Sequence, residues 1–246
     1  MIKSKYVLYS IIGVLLCFLI WGVVIGSSRI IFIVFLTLLI YLIFNFIERF
    51  FKIRMSGVFK CLFYFFIFCS QVLGEILDFY KLISVWDNIL HFSFGLLCTF
   101  VGFSIIRYVV FDSNVMKSLG AIVAVFSMCF SITMGSLWEL FEYSMDKYFK
   151  CDMQKDEYVN EINTVLLGDS TSNKIFSIQD ILYTNVYTSE SVFRIDGGYL
   201  DIGINDTMGD VFINMLGGIV ASILIYIYVC YPGEVNFVRK FIISIK

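Results

Sequence analysis

Proline is almost absent: Pro232 is the only one among 246 residues. Nothing therefore interrupts the long apolar runs that fill the chain. Charge is scarce as well. Asp, Glu, Lys and Arg make up 15% of the residues and hydrophobic side chains 59%, whereas soluble domains carry about 25% charge. A soluble domain of this length needs more charge to cover its surface, so the surplus apolar surface requires lipid as its solvent. The mean hydropathy of +0.87 agrees. A net charge of -2 lacks the basic excess that a polyanion attracts, which excludes nucleic acid as a partner.

Other signatures are missing too. The cysteines, Cys17, Cys61, Cys69, Cys98, Cys129, Cys151 and Cys230, are odd in number and include no CxxC pair. All but Cys151 lie in or beside apolar runs, so they read as small apolar fillers of helix interfaces rather than as disulfides or metal ligands. There is no Walker loop, no dinucleotide fingerprint and no HExxH, and no internal repeat or low-complexity tract.

What is present is a series of apolar runs long enough to cross a hydrocarbon core, which takes about 20 helical residues. Six are expected, at about 7–25, 30–47, 58–79, 86–111, 119–143 and 207–231. The first follows Lys3 and Lys5, but it is too long for a signal peptide and no clear small-x-small cleavage site follows it, so it reads as a retained helix. The fold class is all-α: a polytopic transmembrane bundle forming a single membrane domain. The bias towards Phe, Ile, Tyr and Lys points to an AT-rich bacterial genome, and hence to a bacterial plasma membrane.

Lys and Arg set the orientation. With the N-terminus inside, the inner side carries Lys3, Lys5, Arg49, Lys52, Arg54, Lys60, Arg107, Lys117, Arg239, Lys240 and Lys246. The short outer loops carry only Arg29 and Lys81. Both termini are therefore expected inside, with Trp21, Trp86 and Trp138 near the outer boundary as an aromatic belt. Residues 148–205 are polar and mixed and admit no span. They form a long extracytoplasmic loop, either a lid over the outer face or a solvated loop, with short strands expected over 175–194.

The ionisable residues gather at that outer face. Glu75 and Asp78 end the third helix, Asp87 and His91 start the fourth, Glu139, Glu142 and Asp146 end the fifth, and Asp206, Asp210 and Asn214 start the sixth. Asp112 is the exception. Asp87 and His91 are i,i+4, Glu139, Glu142 and Asp146 are i,i+3,i+7, and Asp206, Asp210 and Asn214 are i,i+4,i+8. Each set lies along one stripe of its helix. Acids cannot face lipid cheaply, so the stripes should face the bundle interior or a water-filled cavity, most economically a shared one. Protonation would relieve their repulsion, and so would a divalent cation held by candidates His91, Glu139, Glu142 and Asp210, or a loop cation such as Arg194.

Plainer readings stand beside this one. Asp206 before an apolar run is an ordinary N-cap. Asp78 and Asp146 suit a solvated interface, Glu75 suits either reading, and His91 could be an interhelical hydrogen-bond partner. Glu139, Glu142 and Asp210 lie inside the expected spans and are the hardest to explain as solvated. Gly209, Gly217 and Gly218, with Gly95 one turn after His91, read as positions of close helix approach.

The same residues resemble a known family. The run from Asp87 to Gly95 is similar to the D-x-x-x-H-F-x-x-G element of YjdF-like bacterial membrane proteins. Glu139 and Glu142 match their E-x-x-E element, and Asp206 to Gly217 resembles D-T-x-x-D-x-x-x-N-x-x-G. VanZ-like proteins, linked to teicoplanin resistance, show a similar order. This chain differs from many of them in having Glu at 142 rather than Gln, and in its long loop. The resemblance spans helices three to six and implies a membrane protein whose shared polar residues are Asp87, His91, Glu139, Glu142, Asp206, Asp210 and Asn214, without a reaction attached. Three functions are compatible: an enzyme acting on a lipid or lipid-linked cell-envelope molecule, an ion-coupled transporter, and a structural or partner-binding protein with an interhelical polar network. No protein partner can be read from the chain.

Overall fold

The computed structural model describes residues 4–50, 52–110, 112–168 and 173–245. Lys3, Lys246 and residue 111, the expected end of the fourth run, lie outside them. The helices are α1 (Ser4–Val24), α2 (Ser28–Phe50), α3 (Gly57–Phe68), α4 (Phe79–Leu82), α5 (Trp86–Val109), α6 (Ser113–Ser118), α7 (Gly120–Phe149) and α8 (Ile204–Cys230). Six of these elements are long and apolar enough to cross a membrane: α1, α2, α3 with its extension to Ile76, α5, α7 and α8. The chain is a polytopic helical membrane protein. Large apolar side chains stand outward along α1 and α2, with Val24 77%, Phe32 66% and Leu42 68% exposed. That surface is tolerable because lipid, not water, covers it.

Two compact units make up the chain: residues 1–137 with 210–246, and residues 138–209. The first holds most of the helical mass. α1 and α2 meet at Gly22, where an added Cβ would come within 3.0 Å of the Ile30 side chain. Tyr41 donates to the Tyr64 carbonyl at 2.8 Å, joining α2 to α3. α3 is capped by Ser56, whose hydroxyl accepts the Phe59 N–H. It then loosens into a π-helix over Cys69–Ile76, a rare form that tends to mark functional positions. The third span ends there, three residues earlier than the apolar run implies. Asp78 breaks it with a left-handed backbone, φ 55°.

Arg29, at the start of α2, reaches across to that break. It donates to the Glu75 carbonyl at 2.8 Å and meets the Glu75 and Asp78 carboxylates at 3.1 and 3.6 Å. At the opposite ends of the same helices Lys60 pairs with Glu48. The C-terminal segment folds back onto this unit. Ser244 and Ile245 pair antiparallel with Arg54 and Ile53, the Ser56 hydroxyl donates to the Lys240 carbonyl, and Phe241 stacks on Phe100 at 4.6 Å.

The second unit begins on the last turns of α7 and ends on the first turns of α8. Between them the described residues form three antiparallel pairs: 158–159 with 199–200, 162–164 with 176–178, and 183–187 with 192–196. The strands expected over 175–194 are thus present. Arg194 lies on the hairpin, 4.0 Å from the Tyr183 ring centroid and paired with Asp196 at 2.7 Å. α7 runs to Phe149, six residues beyond the expected end, and the chain that follows hydrogen-bonds back to its last turns. The Asp146 carboxylate accepts the Met153 and Gln154 N–H groups at 2.7 and 2.8 Å.

Candidate functional site

The site starts from two glycines. A Cβ on Gly95 of α5 would fall 2.1 Å from the Asn214 carbonyl oxygen, and a Cβ on Gly217 of α8 would fall 2.1 Å from the Phe92 carbonyl oxygen. Only glycine lets the two backbones touch at these points. His91 meets Asp210, Gly95 meets Asn214 and Thr99 meets Gly218, each pair one turn on from the last, so α5 and α8 run parallel here. α7 closes the third side. The Ser131 hydroxyl donates to the Gly95 carbonyl at 2.9 Å, and Asn214 donates through Nδ2 to the Ser131 carbonyl at 3.3 Å. Gly135 leaves room for the Asn214 amide.

One turn before Gly95 stands His91, and one turn before Asn214 stands Asp210. The tight crossing therefore brings these side chains together. His91 Nε2 lies 3.4 Å from Asp210 Oδ2 and 3.5 Å from Asp87 Oδ1. His91 and Asp210 are buried, with side chains 8% and 5% exposed, while Asp87 is 22% exposed. One ligand atom from each of the three lies within 4.8 Å of the other two. Ligand atoms held about 2.0–2.2 Å from a common cation are themselves ~3–4 Å apart, so these two separations fit a shared ion. Two carboxylates and a neutral imidazole also balance a divalent charge, and three protein ligands leave positions open for water or substrate.

Asp87 additionally lies in the first turn of α5, where the helix dipole favours an anion. Asn214 is 1% exposed, and its Oδ1 has no hydrogen-bond partner among the described residues.

The remaining candidates lie in the second unit. Glu139 and Glu142 are buried, 5% and 9% exposed. The Trp138 indole donates to Glu142 Oε1 at 2.9 Å. Asp206 does not cap α8, which starts at Ile204; it lies in the first turn and accepts the Lys155 N–H at 2.9 Å. Asp201 caps the helix in its place, accepting the Gly203 and Asn205 N–H groups at 3.0 and 2.8 Å, and that of Glu157 at 2.8 Å. Asp146, read as suiting a solvated interface, is half-buried and accepts two loop N–H groups. Gly209 makes no close approach, since a Cβ there would meet open space. Sequence reading missed Ser131 and Gly135, for which the small-residue pattern of α7 was the available signal.

Comparison with known families decides the broader placement. Residues 7–230 match the family described as "Predicted membrane protein (DUF2238)". The chain belongs to this family. That accords with the YjdF-like resemblance carried by Asp87, His91 and Asp210. No curated protein matches the chain, and no solved structure does.

Proposed function

We propose that Asp87, His91 and Asp210 bind a divalent cation, and that this member of the family uses it as an enzyme on the head group of a lipid or lipid-linked molecule. The observation that carries the reading is the separation of 3.4 and 3.5 Å between His91 Nε2 and the two carboxylates. Nitrogen and oxygen donors in this mixture suit zinc, manganese or iron. A cation there would lower the pKa of a bound water. Asp87, His91 and Asp210 would hold the ion, and it would supply an activated water for hydrolysis of a head-group ester. On the expected orientation the head group would be that of the outer leaflet.

The test is metal analysis of the full chain purified in detergent, followed by incubation with a total lipid extract and mass spectrometry of the products. The expected result is an equimolar divalent ion that His91→Ala and Asp210→Asn each lose, together with head-group products that only the wild type forms. A wild type that binds no divalent ion after incubation with zinc, manganese or iron would sink the proposal.

One observation favours a second reading. The Ser131 and Asn214 bonds already join α7, α5 and α8 through polar side chains. Under that reading the His91 cluster is further interhelical glue. His91→Ala would then lower detergent stability and change no metal content.

A further inference from the structure

The face of α5 next to Asp87 and His91 carries a different feature. Trp86, Leu90, Ser93, Leu97 and Phe100 recur at helical spacing and line a cavity of about 600 Å³, inside the ~300–1,000 Å³ range of ligand sites. α3 and its π-helical extension form the facing wall through Phe65 and Cys69, and α8 contributes Leu224. The floor reaches the protein core, since Leu90 is 6%, Cys69 7% and Phe100 3% exposed. The rim is open to the membrane, with Phe65 57% and Ile89 49% exposed. It is therefore continuous with the lipid-covered surface of the spans. At the far end Phe241, stacked on Phe100, closes the cavity.

We infer that this groove holds one acyl chain of a bilayer glycerophospholipid, with its methyl end at Phe241 and its head-group end at Trp86, beside Asp87. From Trp86 to Phe100 the helix rises about 21 Å, more than the ~15 Å that one leaflet contributes to a 30 Å hydrocarbon core. Apolar side chains from Leu90 to Phe100 line it along that length, as a methylene chain requires. The lining is apolar apart from the Ser93 hydroxyl and Trp86, whose Nε1 is buried with no hydrogen-bond partner among the described residues. A donor at the head-group end suits an ester carbonyl. The groove stands on its own geometry; only the role of its occupant as substrate rests on the proposed function.

The experiment uses the full chain in glycerophospholipid nanodiscs containing a phospholipid with a diazirine in its acyl chain. After photolysis, the labelled peptides are mapped by mass spectrometry. Labelling of α5 and α8 around Leu90, Leu97 and Leu224 should exceed that of the lipid-facing surface of α2 at Phe32 and Leu42 several-fold. Ser93→Trp, and independently Leu224→Trp, should bring it down to the α2 level. Equal labelling of groove and α2 in the wild type overturns the inference even if neither variant folds. So does groove labelling that both monodisperse variants retain, or that appears only with a polyprenyl probe. His91→Ala separates the two proposals: it should abolish metal binding and leave the acyl labelling unchanged.

Discussion

The two units use the same side chain, aspartate, in opposite ways. In the unit of residues 138–209, Asp146, Asp201 and Asp206 turn their oxygens to backbone N–H groups between Met153 and Asn205. Those carboxylates build a loop. In the helical unit Asp87 and Asp210 instead face one imidazole nitrogen across the α5–α8 crossing. That arrangement costs desolvation and holds no loop in place. The contrast sorts acids that composition alone cannot: backbone acceptors are architectural, and carboxylates gathered on a ligand-type nitrogen are candidates for function.

The largest effect should come from destroying the crossing that brings the helical unit's acids together. Gly217→Leu forces a side chain into the Phe92 carbonyl, which backbone cannot vacate. It should cost about 3 kcal/mol or more and abolish metal binding along with stability. Gly209→Ala, on the same helix but facing open space, is the control. It should be neutral or gain up to about 1 kcal/mol in helix propensity. Denaturation of the purified protein in mixed detergent micelles measures both. Equal losses would show that the Gly217 contact does not position the site.

A smaller effect should come from the architectural side. Asp201→Ala removes the acceptor for three backbone N–H groups and should cost about 1–2 kcal/mol. Hydrogen exchange should quicken at Glu157, Gly203 and Asn205, while metal content stays at the wild-type level. Loss of the metal in this variant would erase the distinction between the two sets of aspartates.

This distinction also explains what was legible beforehand. The six spans were, because apolar runs of this length have few other solutions. So were the i,i+4 pairs Asp87/His91 and Asp210/Asn214, which geometry on one helix requires to share a stripe. The end of the third span was not. The apolar run passes through Leu77, and neither the π-helix nor the left-handed Asp78 has a composition of its own. The roles of Asp146, Asp201 and Asp206 were hidden for another reason. The partners of Asp201 and Asp206 lie up to 51 residues away, and no local pattern encodes a tertiary acceptor. Asp206 consequently carried an N-cap reading beside its place in the polar stripe, while the acceptor of the Asn205 N–H lay three residues upstream of the helix start, where a loop was expected.

The smallest effect concerns the acids of the second unit themselves. Burial, then the neighbouring Asp152, Asp201 and Asp146 carboxylates, push the Asp156 carboxyl above its ordinary value. Burial also pushes Asp201 up, but the N–H bonds it accepts outweigh this and leave it below the ordinary value. The two therefore couple to pH with opposite signs. The folded unit holds the Asp156 proton more tightly than the unfolded chain does. Its contribution is full below the unfolded value of about 3.9 and is lost as pH rises through the raised folded value. The contribution of Asp201 is present above about 3.9 and is lost as pH falls through its lowered value. Asp156→Asn removes only the first. It should stabilise the unit at neutral pH by a few tenths of a kcal/mol, the scale of an exposed site, and the gain should vanish below about pH 3.9. Hydrogen exchange of the 153–157 amides as a function of pH reads this directly. A gain that persisted in acid would mean that the substitution acts through packing and not through charge. The carboxylates around Asp156 would then have no repulsion to relieve.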